Sequence, residues 1–277
     1  MSDSPNERIA LAAHTLRPVR PEKYIITGAG GGLGYELGKA ILSSKARADV
    51  TLTYRGKALP EKLQELQGKY PNQVSCSQLD LNDSDSIAKF TEDYGQKHGP
   101  VDVLLSCAAV FKPRDPKENT LRNLKNHPEL LTEALSSNCE GHMSLVSHLM
   151  KDEPLRLRQR QVQRTGNTIP QKFILIGSAG SRFSGDNPKL ARMGLTYATS
   201  KAGLHMGVYK AAEEEKGNQQ FIISCVDPGW MDTKMGGSGA PSGSTKEAAV
   251  KISGLIETIT KEDSGTLMDS DGNKLNY

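Results

Sequence analysis

The chain is poor in the residues that build metal centres and disulfide frameworks. Only four of its 277 residues are cysteine (Cys76, Cys107, Cys139 and Cys225), and no two form a CxxC pair. That gives little support for zinc ligation and fits buried apolar thiols in a reducing compartment. The six histidines are scattered without metal-ligand spacing, so no metal site is expected. No run of about 18 apolar residues is present to span a bilayer. No apolar run near residue 1 resembles a secretion signal. The expectation is a soluble cytoplasmic protein with no membrane association. Charge of either sign is also scarce in excess: 35 Lys and Arg against 32 Asp and Glu leave +3. That balance is too weak to argue for nucleic acid, yet it suits an anionic cofactor.

Glycine is plentiful, with 27 residues clustered where turns would approach a ligand. Residues 1–22 are polar and broken by Pro5, Pro18 and Pro21, and they read as an N-terminal extension. Beyond them, short apolar runs at 23–27, 49–54, 74–79, 101–105, 172–177 and 220–226 read as buried strands. Helical stretches are expected at 33–43, 60–70, 83–98, 129–150 and 195–216. Strands alternating with helices predict an α/β fold: a doubly wound parallel sheet (Rossmann fold) in a single domain over 23–277. Two stretches exceed this alternation, 112–128 and the basic 151–171. The basic run reads as a solvated helix end and loop, with an acidic partner as the alternative. The Gly- and Ser-rich 234–245 reads as part of a mobile substrate lid near 230–250.

The glycine cluster Thr27-Gly-Ala-Gly-Gly-Gly-Leu-Gly34 lies between the first strand and the first helix. Glycines there permit positive φ and close approach to a pyrophosphate, and a helix N-terminus supplies N–H donors. The second strand ends Thr53-Tyr54-Arg55, without the acidic residue that would bond the ribose hydroxyls of NAD. Arg55 suits a 2′-phosphate instead, which favours NADP(H); a solvated strand-end arginine is the alternative. Asp80-Leu81, after the third strand, offers a carboxylate to an adenine amino group, or a turn residue. Tyr197 and Lys201 are spaced i, i+4, on one helical face. A phenol titrates near 10, so acid–base work at neutral pH needs a shift of roughly three units, about 4 kcal/mol. A nearby Lys ammonium favours the phenolate.

On these motifs the chain resembles the short-chain dehydrogenase/reductase family, on a carbonyl-reductase-like branch. Thr27-Gly-x-x-x-Gly32-x-Gly34 matches its cofactor loop, and Asn138, Ser178, Tyr197 and Lys201 match its catalytic tetrad in order. Asp227-Pro-Gly-Trp-Met-Asp-Thr233 matches its nicotinamide segment. The resemblance implies reduction of a ketone or aldehyde, or the reverse oxidation, with Tyr197 as general acid/base. Ser178 would position the carbonyl oxygen. Lys201 would lower the Tyr197 pKa and hold the nicotinamide ribose, and Asn138 would retain a water linking Lys201 to solvent. The implied cofactor contacts are Gly28, Gly32, Leu33, Gly34, Tyr54, Arg55, Asp80, Leu81, Ala108, Tyr197, Lys201, Pro228, Gly229, Met231 and Thr233. Homodimers or homotetramers through the helices bearing Asn138 and Tyr197 are implied too.

Three departures bear on these expectations. Ser106-Cys-Ala-Ala109 replaces the usual Asn-Asn-Ala-Gly, and Gly31 stands where many NADP users carry a basic residue. Ser178 and Tyr197 are 19 apart, more than is usual, so residues 185–192 are expected to loop over the site and Ser181 competes with Ser178. Phe111 and Trp230 read either as pocket lining or as core. A cofactor-binding protein with a regulatory or non-redox role is the alternative function.

Overall fold

The computed structural model describes residues 20–112, 117–150, 170–183, 193–218, 220–237 and 239–276. Among them, one sheet carries eight strands: β1 (Glu22–Thr27), β2 (Ala48–Tyr54), β3 (Val74–Gln78), β4 (Val103–Ser106), β5 (Gln171–Ile176), β6 (Phe221–Asp227), β7 (Leu267–Asp269) and β8 (Lys274–Leu275). Their order is 3-2-1-4-5-6-7-8, parallel except for the final β7–β8 hairpin. The helices are α1 (Gly32–Ser44), α2 (Glu61–Lys69), α3 (Ser84–His98), the single turn α4 (Leu121–Leu124), α5 (Glu129–Leu135), α6 (Gly141–Leu149), α7 (Leu195–Glu214) and α8 (Ser244–Thr258).

Alternation along the strands divides the core. Tyr24 and Ile26 of β1 face one layer with Leu37 and Ile41 of α1, Leu63 of α2 and Ile252 of α8. Ile25 faces the other with Phe90 of α3, Leu145 of α6 and Leu204 of α7. Strands buried on both faces need near-continuous apolar runs, which is how β1, β4, β5 and β6 read in the sequence. The strand order reverses between β1 and β4. Their register sets Thr27 beside Ser106 at the carboxyl ends, where open α/β sheets bind ligands.

The structure departs from the sequence reading in three places. The single helix expected over 129–150 is split by a π-helical turn, Ser136–Glu140, which carries Asn138. Residues 244–250, expected in the lid, begin α8, whose Ala248, Ala249 and Ile252 are buried. The strands β7 and β8 extend the sheet beyond the six expected. The first 19 residues, most of the basic 151–171 stretch and the expected loop 185–192 lie outside the described residues.

Two helical glycines differ in surroundings. A Cβ on buried Gly141 would stand 2.1 Å from the Leu81 carbonyl oxygen, whereas one on exposed Gly254 meets nothing within 4 Å. Gly141→Ala should therefore lower the unfolding free energy by about 1–3 kcal/mol. Gly254→Ala should raise it by about 0.5–1 kcal/mol. Urea denaturation distinguishes the two, and shifts of the same sign would contradict this packing.

Candidate active site

A cavity of about 700 Å³ opens at the carboxyl ends of the strands. All fifteen sequence-expected cofactor residues line it, from Gly28 through Thr233, as do Ser178, Phe111 and Trp230. Its floor is the β1–α1 turn. Gly28 and Gly32 have φ of 66° and 51°, in the left-handed region that favours glycine. A Cβ on Gly28 would lie 2.8 Å from the Ala108 Cα, and one on Gly34 2.8 Å from the Gly28 carbonyl oxygen. The loops after β1 and β4 thus pack backbone to backbone. The Thr27 hydroxyl holds them so, accepting from the amides of Cys107 (2.9 Å) and Ala108 (3.2 Å). The α1 N-terminus has no side-chain cap and no acidic residue in its first turn, so its donors and positive dipole end face the cavity uncompensated.

The place of the expected asparagines after β4 is taken by a pair the sequence reading overlooked. His142, fully buried on α6, bonds the Ser106 hydroxyl at 2.7 Å through Nδ1 and the Ala108 carbonyl at 2.8 Å through Nε2. A carbonyl only accepts, so Nε2 carries the proton and Nδ1 accepts from Ser106. Burial and the Lys201 charge push its pKa down to about 3.

At the other end of the cavity, α7 sets Tyr197, Lys201 and His205 in one stripe, each four residues from the last. The Tyr197 phenol lines the cavity together with Ser178 and meets the Phe111 ring edge-on at 4.9 Å between centroids. Ser181, the competing serine, is turned away: its hydroxyl donates to the Ser178 carbonyl (2.7 Å) and accepts from His205 Nδ1 (3.2 Å). His205 Nε2 accepts the Ser178 amide at 3.3 Å, and its pKa too is lowered to about 3, by burial and by Lys201.

Lys201 is 1% exposed and donates to the Ile176 carbonyl at 2.6 Å. Burial brings its pKa down to about 8. The expected lowering of the Tyr197 pKa by Lys201 is not what the geometry gives. The ammonium stands 5.9 Å from the ring centroid. Burial, then Asp227, hold the phenol above its ordinary value, against the lowering effect of Ser178. Solvent exclusion outweighs a charge at that separation.

Asn138 likewise differs from expectation. It does not line the cavity. Its Nδ2 donates to the Val110 carbonyl (2.8 Å) and the Ser200 hydroxyl (3.0 Å), and its Oδ1 accepts the Val110 amide (2.8 Å). Ser200 in turn donates to the Tyr197 carbonyl at 2.8 Å. The side chain expected to hold a water thus fastens the β4 loop to the helix of Tyr197. Asn119, in the stretch at 112–128, does the same from another side: its Oδ1 accepts the Thr196 amide and its Nδ2 donates to the Thr196 hydroxyl, both at 2.9 Å.

Trp230, Met231, Thr233, Lys234, Met235 and Gly236 line the other side of the cavity. The Trp230 indole donates to the Gly236 carbonyl at 2.9 Å. Asp232 gathers the far end, accepting the amides of Gly243 (2.6 Å) and Thr245 (2.8 Å). The Thr245 hydroxyl, which also donates to it, and then these amides bring its pKa down to about 2. Among the described residues no cluster suited to a metal ion occurs, and no helix is long and apolar enough to cross a membrane. All four cysteines are free.

A doubly wound sheet with a glycine-lined cleft at its switch point, and a Ser–Tyr pair with a buried lysine at its mouth, defines a nucleotide-dependent oxidoreductase. Residues 28–268 match the family model described as enoyl-(acyl carrier protein) reductase. The chain belongs to the short-chain dehydrogenase/reductase family. It is similar to a carbonyl reductase [NADPH] of Bos taurus, 27% identical over 244 residues (81% of this chain, 87% of that one). It is 24% identical over 241 residues to a benzil reductase ((S)-benzoin forming) of Saccharomyces cerevisiae (84% and 82%). In fold it is similar to the NADPH-bound carbonyl reductase from chicken fatty liver, with a TM-score of 0.77 at 21% identity, covering 94% of this chain and all of that one.

The two buried histidines make stability pH-dependent. Each binds its proton near 6.5 when unfolded and near 3 when folded, so the unfolded chain holds more protons between those values. Their contribution is complete above pH 6.5 and is lost as pH falls below it. The slope approaches about 1.4 kcal/mol per pH unit for each histidine. Denaturant titrations between pH 7.5 and 4.5 should show this, and His142→Gln should remove one proton from the slope. A flat profile would contradict the neutral assignments.

Proposed function

We propose that the chain is an NADP(H)-dependent reductase of ketones or aldehydes, or the reverse alcohol dehydrogenase, with Tyr197 as the proton donor. The observation that carries this reading is the grouping of Ser178 and Tyr197, with Lys201 buried one turn further on, at one end of a cavity floored by the glycine turn. The cavity suits the cofactor on three counts: glycines whose Cβ would fill the cleft, an uncapped helix N-terminus for a pyrophosphate, and Arg55 where β2 ends without an acid. When bound, the reduced nicotinamide supplies the hydride.

The chain's own groups do the rest. Ser178 and Tyr197 converge on the site of a substrate carbonyl oxygen, and their hydroxyls orient it and stabilise its developing charge. A phenol held above its ordinary pKa stays protonated at neutral pH, as the donor in a reduction must. Lys201, fixed by the Ile176 carbonyl, presents positive charge one turn beneath. Asn138 positions Tyr197 through Ser200. Phe111, Met193, Trp230 and Met235 give the substrate end an apolar wall, which favours a bulky uncharged carbonyl compound. Residues 230–237 and 239–243 serve as its lid. The free thiols fit the reducing cytoplasm. Exposed Met206 and Tyr209 on α7 offer an apolar face for a homodimer or homotetramer.

NADPH consumption with a panel of aryl ketones, α-diketones and aldehydes tests the reading. Tyr197→Phe should lower kcat/KM by about 10²–10⁴. NADPH affinity, followed by the fluorescence of Trp230, the only tryptophan, should stay close to that of the wild type. A variant that keeps most of its rate would remove Tyr197 from the role.

A further inference from the structure

Both polar backbone groups of Ser178 enter one closed circuit of hydrogen bonds. Its amide donates to His205 Nε2 at 3.3 Å, and its carbonyl accepts from the Ser181 hydroxyl at 2.7 Å. His205 Nδ1 and the Ser181 hydroxyl, 3.2 Å apart, complete the circuit. An amide only donates and a carbonyl only accepts, so every bond in it has a single direction. Nε2 is bare, Nδ1 carries the proton and donates to Ser181, and Ser181 donates to the Ser178 carbonyl. An imidazolium has no lone pair for the amide, so the circuit exists only with a neutral His205. Ser178, Ser181 and His205 are all buried.

The surroundings are shaped to admit the imidazole. A Cβ on Gly177 would stand 2.5 Å from His205 Nε2, so the glycine leaves the space that this nitrogen fills. On the cavity side, the Ser178 hydroxyl oxygen accepts from the Gly180 amide at 3.1 Å. The hydroxyl proton is then directed away from that amide, as a donor to a carbonyl oxygen must be. Ser178 stands two residues past the end of β5, before the short turn Ala179–Ser181. Backbone in such a connection is more mobile than the elements it joins. His205, by contrast, belongs to α7, the helix that carries Tyr197 and Lys201. The circuit therefore ties Ser178 to the same rigid element as the phenol.

We propose that His205, acting with Ser181, is the positioning residue for Ser178: it fixes the direction from which the serine hydroxyl meets the substrate carbonyl oxygen. This rests on the reductase reading above. Neither His205 nor Ser181 lines the cavity, so both act through Ser178 and touch neither substrate nor cofactor.

A double-mutant cycle on kcat tests it, with the full chain, saturating NADPH and the panel of aryl ketones, α-diketones and aldehydes. His205→Phe, which keeps the bulk and removes both nitrogens, should lower kcat about tenfold. NADPH affinity should stay within about twofold of the wild type. His205→Gln, whose amide offers one acceptor and one donor, should recover most of the rate. Ser181→Ala should cost only about threefold. The Ser181 amide still donates to the Ser178 carbonyl, at 3.2 Å. In a Ser178→Ala background neither His205→Phe nor Ser181→Ala should lower the rate further by more than about twofold, because the hydroxyl they position is gone. A merely structural histidine would cost the same factor in both backgrounds. That result, or an unchanged rate in both single variants, overturns the inference and leaves the reductase reading standing. If His205→Phe does not fold, the Ser181→Ala cycle decides by the same criterion. A wild type that reduces no member of the panel overturns both.

Discussion

The site is organised around one buried ammonium. Lys201 lies under α7 with a carbonyl, not a carboxylate, as its hydrogen-bond partner. An isolated cation in such a place is tolerated only if its surroundings stay neutral or turn dipoles toward it. Every titratable neighbour obeys. His142 and His205 are held neutral by burial and by the lysine's own charge. The thiols of Cys107 and Cys225 are pushed up to about 12, burial outweighing the pull of Lys201. Tyr197 stays a phenol. Around Lys201 the histidines, the thiols and the phenol thus stay uncharged.

That neutrality explains the polar groups behind the cavity. The two histidines act as uncharged hydrogen-bond bridges, each with one nitrogen donating and one accepting. His142 ties β4 to its following loop, and His205 holds both Ser178 and Ser181. A charged side chain in either place would repel Lys201 or demand a partner. Asn138 and Asn119 play the same part with amides, clamping the Tyr197 helix from two sides. All four residues fix backbone and none needs to touch substrate.

The parts of this arrangement that depend on backbone were legible in the sequence. A glycine turn after an apolar run, an i, i+4 Tyr–Lys pair and alternating elements each have a fixed geometry, and the sheet order and cavity lining follow from them. The parts that depend on side chains meeting across elements were not. His142 stands four residues after Asn138, and His205 four after Lys201, so spacing offered a signal. Nothing local, however, says that β4 ends in a serine needing a partner. The π-turn at 136–140 is invisible because its residues suit an ordinary helix. The helix α8 was obscured by the Gly–Ser run before it, although Ala248, Ala249, Ile252 and Ile256 carry helical spacing. Ser178 was in doubt only through its distance in sequence from Tyr197. Distance in sequence does not fix distance in space when both residues are anchored, one at the end of β5 and the other on a helix clamped by Asn119 and Asn138.

The two ends of the cleft differ in the same respect. The nucleotide end is made of main chain: glycines in contact with carbonyls, a helix terminus, a threonine hydroxyl bonded to two amides. Adding one carbon atom to Gly28 or Gly34 would drive it into backbone, so this end has almost no freedom to vary. The substrate end is made of Phe111, Met193, Trp230 and Met235, all of them on loops, where a change of side chain alters shape without disturbing the sheet. A fold divided in this way can keep its cofactor site while its choice of substrate changes. The main-chain end is thus fixed by packing, while the side-chain end is free to vary in shape.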